Sequence, residues 1–291
     1  MEDQNQEQVL TPEIVPNLDA LSTIVKADID IQIATAKTYP RSLTKFINDV
    51  EKVGCLTQSI AESCTYGLPR KQKNEQTQRW ETKLITGPSV RLAEIIVSCY
   101  GNIRSGARII GNDGKHVTAQ GFCHDLEKNS FIAIEYKRKI TDKQGRTYSE
   151  DMQTVTGNAA CAIAFRNAVF KVIPAAIINE AYEKIKEVAK GDAKTLEARR
   201  TAAVKFFTDR GVTEKRIFAQ LQVEGIKDVD LDKLAELSAM KAAFVNQEVT
   251  SLDDLFPEPD NKEKADRTNG KTLDLMEGAK KKKEEPKTES K

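Results

Sequence analysis

The spacing of the apolar residues changes at Gly101, and this change restricts the chain to folds that combine helices with an antiparallel sheet. In residues 90–100 the apolar positions recur every three to four residues, as on one face of a helix. After Gly101 they alternate with polar residues in three segments. The sequences Gly111-Asn112-Asp113-Gly114 and 142–145 are typical of tight turns, which join antiparallel strands. We therefore predict an α+β fold with an antiparallel three- to four-stranded β-meander packed on helices.

The most apolar part of the chain follows the predicted meander. The stretch TVTGNAACAIAFRNAVFKVIPAAII should form a helix that Pro174 stops, and Arg166 and Lys171 are the only charged residues between Asp151 and Glu180. A helix that is apolar nearly all round is normally buried, and buried cations need anionic partners. Two interpretations stay open for these cations: they extend to the surface (snorkel) or pair with a distant Asp or Glu, or they face a groove that receives phosphates.

The rest of the chain divides by composition. Apolar residues recur at helical spacing from about residue 18 to residue 53, and Pro40 should split this segment into two helices. After Gly191 three short amphipathic helices are expected, so the α+β core is followed by a small all-α C-terminal module. The predicted divisions are a mobile N-terminus at 1–16, a core at 17–188, the helical module at 193–256 and a disordered charged tail at 257–291.

The overall charge excludes a uniformly basic protein. The 291 residues carry a formal net charge of +1, so any surface that binds nucleic acid must be a local patch. The cysteines form no C-x-x-C pair and are interpreted as reduced thiols, and the two histidines have no zinc-ligand spacing with them. No apolar run approaches the length of a membrane span, and we expect a cytoplasmic protein.

Basic residues in the meander suggest one such patch. Arg104 and Arg108 share one face of the first strand, and Lys137 and Lys139 share one face of the third strand, with Arg138 between them. One interpretation is an ordinary solvated sheet face. The other is a surface that follows a phosphate backbone, with Tyr136 and Tyr148 as stacking partners for bases.

The segment 66–83 is the second basic region, and it is predicted to be a long loop. Its cations include Arg70 and Lys71, and it carries the only tryptophan, Trp80. Basic residues interleaved with aromatic residues would suit a flexible clamp over a single strand. A solvated loop whose tryptophan packs into the core is an equal alternative.

A nuclease is the alternative from a different class. Asp125, Glu135 and Lys137 match the carboxylate and Glu-x-Lys pattern with which one class of nucleases holds Mg²⁺. Tight turns between the strands favour a plain hairpin instead, and Asp125 falls in a predicted turn. The sequence contains no G-x-S-x-G motif and no phosphate-binding G-x-x-x-x-G-K-[ST] loop. We therefore expect a binding protein that is not an enzyme and needs no cofactor, with Mg²⁺ required only under the nuclease alternative.

One stretch, MQTVTGNAACAIAFRNAVFKVIPAA at 152–176, is similar to a helix of the phage single-strand annealing proteins of the RecT and lambda Beta group. The order of elements from about residue 27 to residue 188 also resembles that family. The resemblance implies ATP-independent binding of single-stranded DNA and annealing of complementary strands in phage recombination. It also implies a homo-oligomer, a ring or a helical filament, with the DNA in a basic groove between sheet and helix.

The resemblance assigns positions in this chain. Arg166 and Lys171 would lie in the groove, with Arg104, Arg108, Lys137 and Lys139 nearby. The module at 193–256 would recruit a partner exonuclease or a single-strand-binding protein. The start of the helix departs from the family pattern, because Thr154, Thr156 and Asn158 stand where basic residues are usual. A third interpretation is a passive accessory of replication that coats single strands without annealing them.

Overall fold

A computed structural model describes residues 18–257, except residues 74, 76, 77, 79 and 143. The predicted mobile N-terminus at 1–16 and nearly all of the predicted tail at 257–291 lie outside these residues. The helices are α1 (Leu18–Thr38), α2 (Leu43–Gly54), α3 (Gln58–Ser63), α4 (Val90–Tyr100), α5 (Glu150–Val172), α6 (Ala175–Lys190), α7 (Leu196–Thr208), α8 (Glu214–Leu221) and α9 (Leu231–Val245). The strands are β1 (Thr65–Lys73), β2 (Trp80–Pro88), β3 (Ile103–Asn112), β4 (His116–Asp125) and β5 (Ser130–Lys139). The α+β class is confirmed.

The chain separates into two units. Among the described residues, unit 1 comprises 18–65, 88–189 and 246–248, and unit 2 comprises 66–87, 190–245 and 249–257. This division differs from the predicted boundaries in two places, because residues 66–87 group with the C-terminal helices and residues 246–248 group with the core.

Helix boundaries in unit 1 follow from local chemistry. The break at Pro40 separates α1 from α2, and Ser42 caps α2 by accepting a hydrogen bond from the Lys45 N–H. Strand β2 ends at Pro88, and the hydroxyl of the next residue, Ser89, caps α4 by accepting from the N–H groups of Arg91 and Leu92. Pro174 ends α5, as predicted.

The sheet of unit 1 contains three antiparallel strands in the order β3-β4-β5. The optional fourth strand is absent from the described residues, where only a single bridge joins Thr141 to Thr147. Residues directly opposite in neighbouring strands share a face, so the register sorts every side chain. The buried positions of β4, such as Ala119 and Cys123, alternate with its partly exposed positions. We call the buried side of the sheet its inner face and the other side its outer face.

Helix α5 lies directly against the inner face. A Cβ placed on Gly121 would lie 2.1 Å from the backbone oxygen of Ala164, so only glycine permits this approach. Next to this contact, Ala160 and Ala164 of α5 share a buried cluster with Val117, Ala119 and Ile140. Small residues on the helix thus let the two backbones approach, and this contact buries the apolar segment that the sequence singled out.

Unit 2 corrects the prediction of a loop at 66–83. This segment contains nearly all of β1 and the first part of β2, which pair in a two-stranded antiparallel sheet. Leu68 and Leu84 pack against the buried cluster that contains Phe207 and Leu237. The hairpin contains few apolar residues, so its sequence lacks the alternation of apolar and polar positions by which a strand is usually predicted. Helices α7, α8 and α9 confirm the three predicted C-terminal helices.

Within the described part of the chain, no single helix has the length and apolar composition of a membrane span. The pair α5 and α6 meets these criteria only when taken together, and the two helices bend by 118° at their junction. Much of α5 is buried within unit 1.

Candidate nucleic-acid interface

Four of the predicted cations gather on the outer face of the three-stranded sheet. The register pairs Arg104 with His124 and Arg108 with Gln120, while Lys137 pairs with Thr118 and Lys139 with His116. The four partner residues in β4 are an even number of positions apart, so they lie on one face of that strand. The four cations opposite them therefore leave the sheet on the same side. The predicted pairs Arg104/Arg108 and Lys137/Lys139 thus belong to one surface.

The four cations differ in how strongly they are held. Arg108 is exposed and donates to the Gln120 amide oxygen at 3.1 Å, and Lys139 is exposed and forms no ion pair with another described residue. The Lys137 ammonium lies 3.0 Å from the Asp113 carboxylate. Arg104 is the least available, since its guanidinium is partly covered and lies 4.0 Å from Asp28. Arg108 and Lys139 are therefore the freest cations on this face.

Asp113 fixes the turn beside these cations. The N–H groups of Lys115 and His116 donate to Oδ1 of Asp113, at 2.9 and 2.6 Å. The N–H of Lys115 first, and then the ammonium of Lys137, hold the pKa of Asp113 well below its usual range. This carboxylate stays charged and orients Lys137 at the edge of the outer face.

Aromatic side chains on the outer face were missed by the sequence analysis. Phe131 is 59% exposed, and its ring stacks on that of Phe122 with centroids 6.4 Å apart and an interplanar angle of 26°. The ring of His124 meets Phe131 edge-on at 5.7 Å. The signal was present, because Phe131 has the same parity in β5 as Lys137 and Lys139. An exposed ring beside cations is the combination that binds the bases and phosphates of single strands.

Arg138 and Tyr136, predicted to join this surface, lie on the inner face. Tyr136 packs against the buried cluster around Ala119 and Ala160, so it is not a stacking platform for bases. The guanidinium of Arg138 donates to the backbone oxygen of Glu248 at 3.3 Å. Both have the opposite parity to Lys137, and strand alternation directs them toward α5.

The predicted groove between sheet and helix is closed where Ala164 of α5 meets Gly121, because this contact leaves no room for a strand of DNA there. Nearer the start of α5 a pocket lies between the two layers, with Val117 and Gly157 in its lining, and a groove at that end stays a prediction. Arg166 already holds an anion, because its Nη1 lies 2.5 Å from Oε2 of Glu248. The interpretation in which a distant acid pairs with Arg166 is therefore correct. Lys171 is exposed near the end of α5 and forms no ion pair among the residues described.

The residues proposed for a nuclease site do not come together. Asp125 has a side chain only 2% exposed and receives two hydrogen bonds of 2.7 Å from the Arg41 guanidinium. Glu135 pairs with Gln120, five positions along β4, so it lies about 17 Å from Asp125 along the strand. The two carboxylates also leave opposite faces of the sheet. Asp125 therefore has a structural role: it pairs with Arg41, whose guanidinium lies 3.8 Å from the centroid of the buried Tyr100 ring.

The candidate residues of the second basic segment lie in unit 2. Arg70 and Lys71 are exposed neighbours on β1, so their side chains leave opposite faces of that strand. Trp80 begins β2, and its side chain lies outside what the structure describes. A predicted clamp of Arg70, Lys71 and Trp80 stays a prediction, now on a hairpin in place of a loop.

Neither a metal site nor a similarity to known proteins adds information about these surfaces. Among the described residues, no group of three or more His, Cys, Asp or Glu side chains could hold a metal ion. No family model, curated protein or solved structure matches the chain. The likeness to the phage annealing proteins stays a prediction based on the sequence, and the outer face must be judged by its own geometry.

Proposed function

We propose that this chain binds single-stranded DNA on the outer face and anneals complementary strands without ATP, in the manner of phage recombination proteins. The observation that carries the proposal is the exposed Phe131 ring beside the cations of Arg104, Arg108, Lys137 and Lys139. The cations would neutralise phosphates while the ring stacks on a base. Neither interaction reads the sequence of the strand.

Annealing needs more than a surface that coats DNA. A strand held by its phosphates, with only one or two bases stacked, keeps most base edges free to pair. Neutralised phosphates also repel an incoming complementary strand less strongly. These two effects together support annealing over passive coating.

The proposal also includes association of the chain with further copies of itself and with partner proteins. Ile24, Val25 and Ile31 of α1 are 65%, 46% and 66% exposed, and an apolar surface of this kind supports contact between copies of the chain. The helices of 193–256 are the proposed docking region for an exonuclease or a single-strand-binding protein.

The test mixes the protein with two complementary oligonucleotides, one of them end-labelled, without ATP and with or without Mg²⁺. Native and denaturing gels then report duplex formation and strand length. We expect accelerated annealing of intact strands that weakens as salt rises. Replacing the four outer-face cations by Ala should remove up to four phosphate contacts and lower the slope of log binding constant against log salt by roughly 3.

A matched control removes the same charge elsewhere. Lys52, Lys194, Lys205 and Lys215 are exposed and lie outside the sheet, so their joint replacement by Ala should leave annealing intact. Equal losses of annealing in the two variants would show that only the net charge matters, and this would contradict the proposal. Binding without faster annealing would identify a passive coating protein, and strands shortened only with Mg²⁺ would identify a nuclease.

A further inference from the structure

Helix α1 carries an exposed apolar stripe along one side. Four of its residues are spaced by three, four and three positions, so they line up along the helix. They are Ile24, Ala27, Ile31 and Ala34, which we call the α1 stripe. All four are exposed, and the two isoleucines are 65% and 66% exposed. Apolar side chains that follow one another in this way form a continuous surface for a second helix.

The other side of α1 contacts the rest of unit 1. Ala36 is buried, and Ile29 and Ile33 are partly buried. These three residues are spaced by four and three positions and lie on nearly the opposite side of the helix from the α1 stripe. Helices of this length gain most of their stability from packing. Helix α1 thus has two apolar sides, and the described part of the chain covers only one of them.

The order of residues in the α1 stripe matches a second copy of the same helix. Isoleucine at every seventh position with alanine between is a heptad pattern, in which the side chains of each helix fit between those of the other. β-branched residues at the first apolar position of the heptad favour two parallel helices. In such a pair Ile24 and Ile31 would each pack against their own counterparts, and the small alanines would permit a close approach.

The residues beside the α1 stripe favour the same arrangement. In a parallel pair Asp28 would lie opposite Thr23 of the second copy, and Asp30 would lie opposite Thr35. No two acids then meet. An antiparallel pair that covered all four isoleucines would place Asp28 against Asp28 and Asp30 against Asp30, and like charges repel. A shift by one heptad avoids these contacts but leaves the first isoleucine uncovered.

The position of unit 1 leaves room for this contact. The α1 stripe and the covered side of α1 lie on opposite sides of the helix, so each unit 1 would lie outside the helix pair. We propose that two copies of the chain associate through their α1 stripes, as a parallel pair of helices about a two-fold axis. This inference rests on the self-association in the proposed function, for which it names the surface and the orientation, and it does not rest on DNA binding.

Pairing through α1 would also bring two outer faces together. The carboxylate of Asp28, beside the α1 stripe, lies 4.0 Å from the Arg104 guanidinium on the outer face. The Arg104 ends of two outer faces would therefore lie on either side of the helix pair. Two single strands, one on each outer face, would then be held near each other, as annealing requires.

The first test measures the mass of the full chain without DNA, by sedimentation velocity over a range of concentrations. We expect the wild type to form dimers or larger assemblies. Ile24→Lys/Ile31→Lys should raise the dissociation constant at least about tenfold, because it removes apolar contact and places like charges in the stripe. Leu43→Lys/Leu56→Lys adds the same charge at exposed apolar residues outside α1 and should assemble as the wild type does.

Two results would overturn the proposal. One is a monomeric wild type, or an α1 lysine variant that assembles as well as the wild type. The other is an unchanged mass with a lower thermal unfolding midpoint, because the α1 stripe would then be covered within one chain, by residues 1–17. Where the lysine variant does not fold, Ile24→Ser/Ile31→Ser decides: weaker assembly supports the contact, and unchanged assembly rejects it.

The second test reads the orientation of the helices by disulfide cross-linking. Ala27→Cys should give cross-linked dimers on mild oxidation, because each residue of a parallel stripe lies near its own counterpart. Lys26→Cys, on another side of α1, is the matched control, and the wild type with its five cysteines sets the background. Absence of cross-linking above this background by an Ala27→Cys chain that still assembles rejects the parallel pair.

Oligonucleotide binding by the same variants separates this inference from the proposed function. Loss of assembly in Ile24→Ser/Ile31→Ser with unchanged affinity for a single strand supports the helix pair and leaves DNA binding to the outer face. A wild type that assembles through α1 but neither binds nor anneals DNA supports the helix pair and contradicts the proposed function. A wild type that anneals DNA as a monomer does the reverse.

Discussion

The two faces of the three-stranded sheet carry the same kinds of residue under opposite conditions. On the outer face Arg108 and Lys139 are exposed and without an ion pair among the described residues. On the inner side Arg138 holds the backbone of Glu248, and Asp125 at the end of β4 is clamped by Arg41. The difference teaches that strand parity decides whether a charge is available for binding or is committed to the fold.

The physical reason is the cost of removing a charge from water. A cation beneath α5 must be paired, since an unpaired buried charge costs several kcal/mol. A cation on the outer face keeps its hydration and can exchange it for a phosphate at little cost. Variants on the two faces should therefore change different quantities, stability on the inner side and binding on the outer side.

The largest expected effect is on the inner side. Asp125→Ala leaves the Arg41 guanidinium, whose side chain is 7% exposed, without its bidentate partner. We expect a loss of about 3–5 kcal/mol in the free energy of unfolding, measured by urea denaturation. Glu135→Ala on the exposed face should change stability by less than about 0.5 kcal/mol. Similar losses in both variants would erase the difference between the faces.

On the outer face the largest single effect should come from Phe131. Phe131→Ala removes an exposed stacking ring, so the affinity for oligo(dT) should fall by about 1–3 kcal/mol, measured by fluorescence anisotropy. Unfolding free energy should change little, because the ring is 59% exposed. Phe131→Tyr should retain affinity, and Leu56→Ala, at a residue that is 67% exposed and lies outside both the sheet and α1, is the matched apolar control. Unchanged binding in Phe131→Ala would remove the ring from the interface.

The inner ion pair should also appear in the pH dependence of stability. Burial would raise the pKa of Asp125, but hydrogen bonds from Arg41 and from the Lys128 N–H outweigh it and lower the pKa below its ordinary 3.8. The stabilisation is therefore complete above about pH 4–5 and is lost as pH falls through the lowered pKa. Urea midpoints from pH 5 to pH 2 should fall more steeply in the wild type than in Asp125→Asn. Parallel curves would show that another acid governs the loss.

The smallest effect concerns Glu135, the acid among the outer-face cations. Glu135→Gln should tighten oligonucleotide binding by about 0.2–1 kcal/mol, since it removes repulsion of the phosphates. Glu183→Gln removes an exposed acid that pairs with Lys186 on α6 and should leave the affinity unchanged. Weaker binding in Glu135→Gln, or loss of Mg²⁺-dependent cleavage, would favour the nuclease interpretation.

Local patterns predicted much of the fold and part of the site. The change of period at Gly101 located the meander, and Pro40 and Pro174 located helix ends. Parity placed Arg104 with Arg108 and Lys137 with Lys139. The same alternation rule places Phe131 on the face of Lys137 and Lys139 and Tyr136 on the opposite face. It would therefore have predicted Phe131, and not Tyr136, as the stacking residue.

Other features depended on contacts that no local pattern contains. Arg166 and Glu248 are 82 residues apart, and nothing near either residue signals the pair. The clamp between Arg41 and Asp125 spans 84 residues in the same way. The β1–β2 hairpin gains its stability from apolar contacts with the cluster around Phe207, whereas its own sequence resembles a polar loop. Long-range pairing of this kind can be recognised only once the topology is known.

Residues 246–248 belong to unit 1 but are synthesised after most of unit 2, so unit 1 is completed late in synthesis. Helix α5 and strand β5 leave the ribosome long before Glu248, so a nascent chain holds Arg166 without the carboxylate that later neutralises it. Domains usually fold as units from the N-terminus during translation, and here the first unit must wait for most of the second to be made. A chain cut after residue 189 would contain nearly all of unit 1 and still lack one of its buried counter-ions.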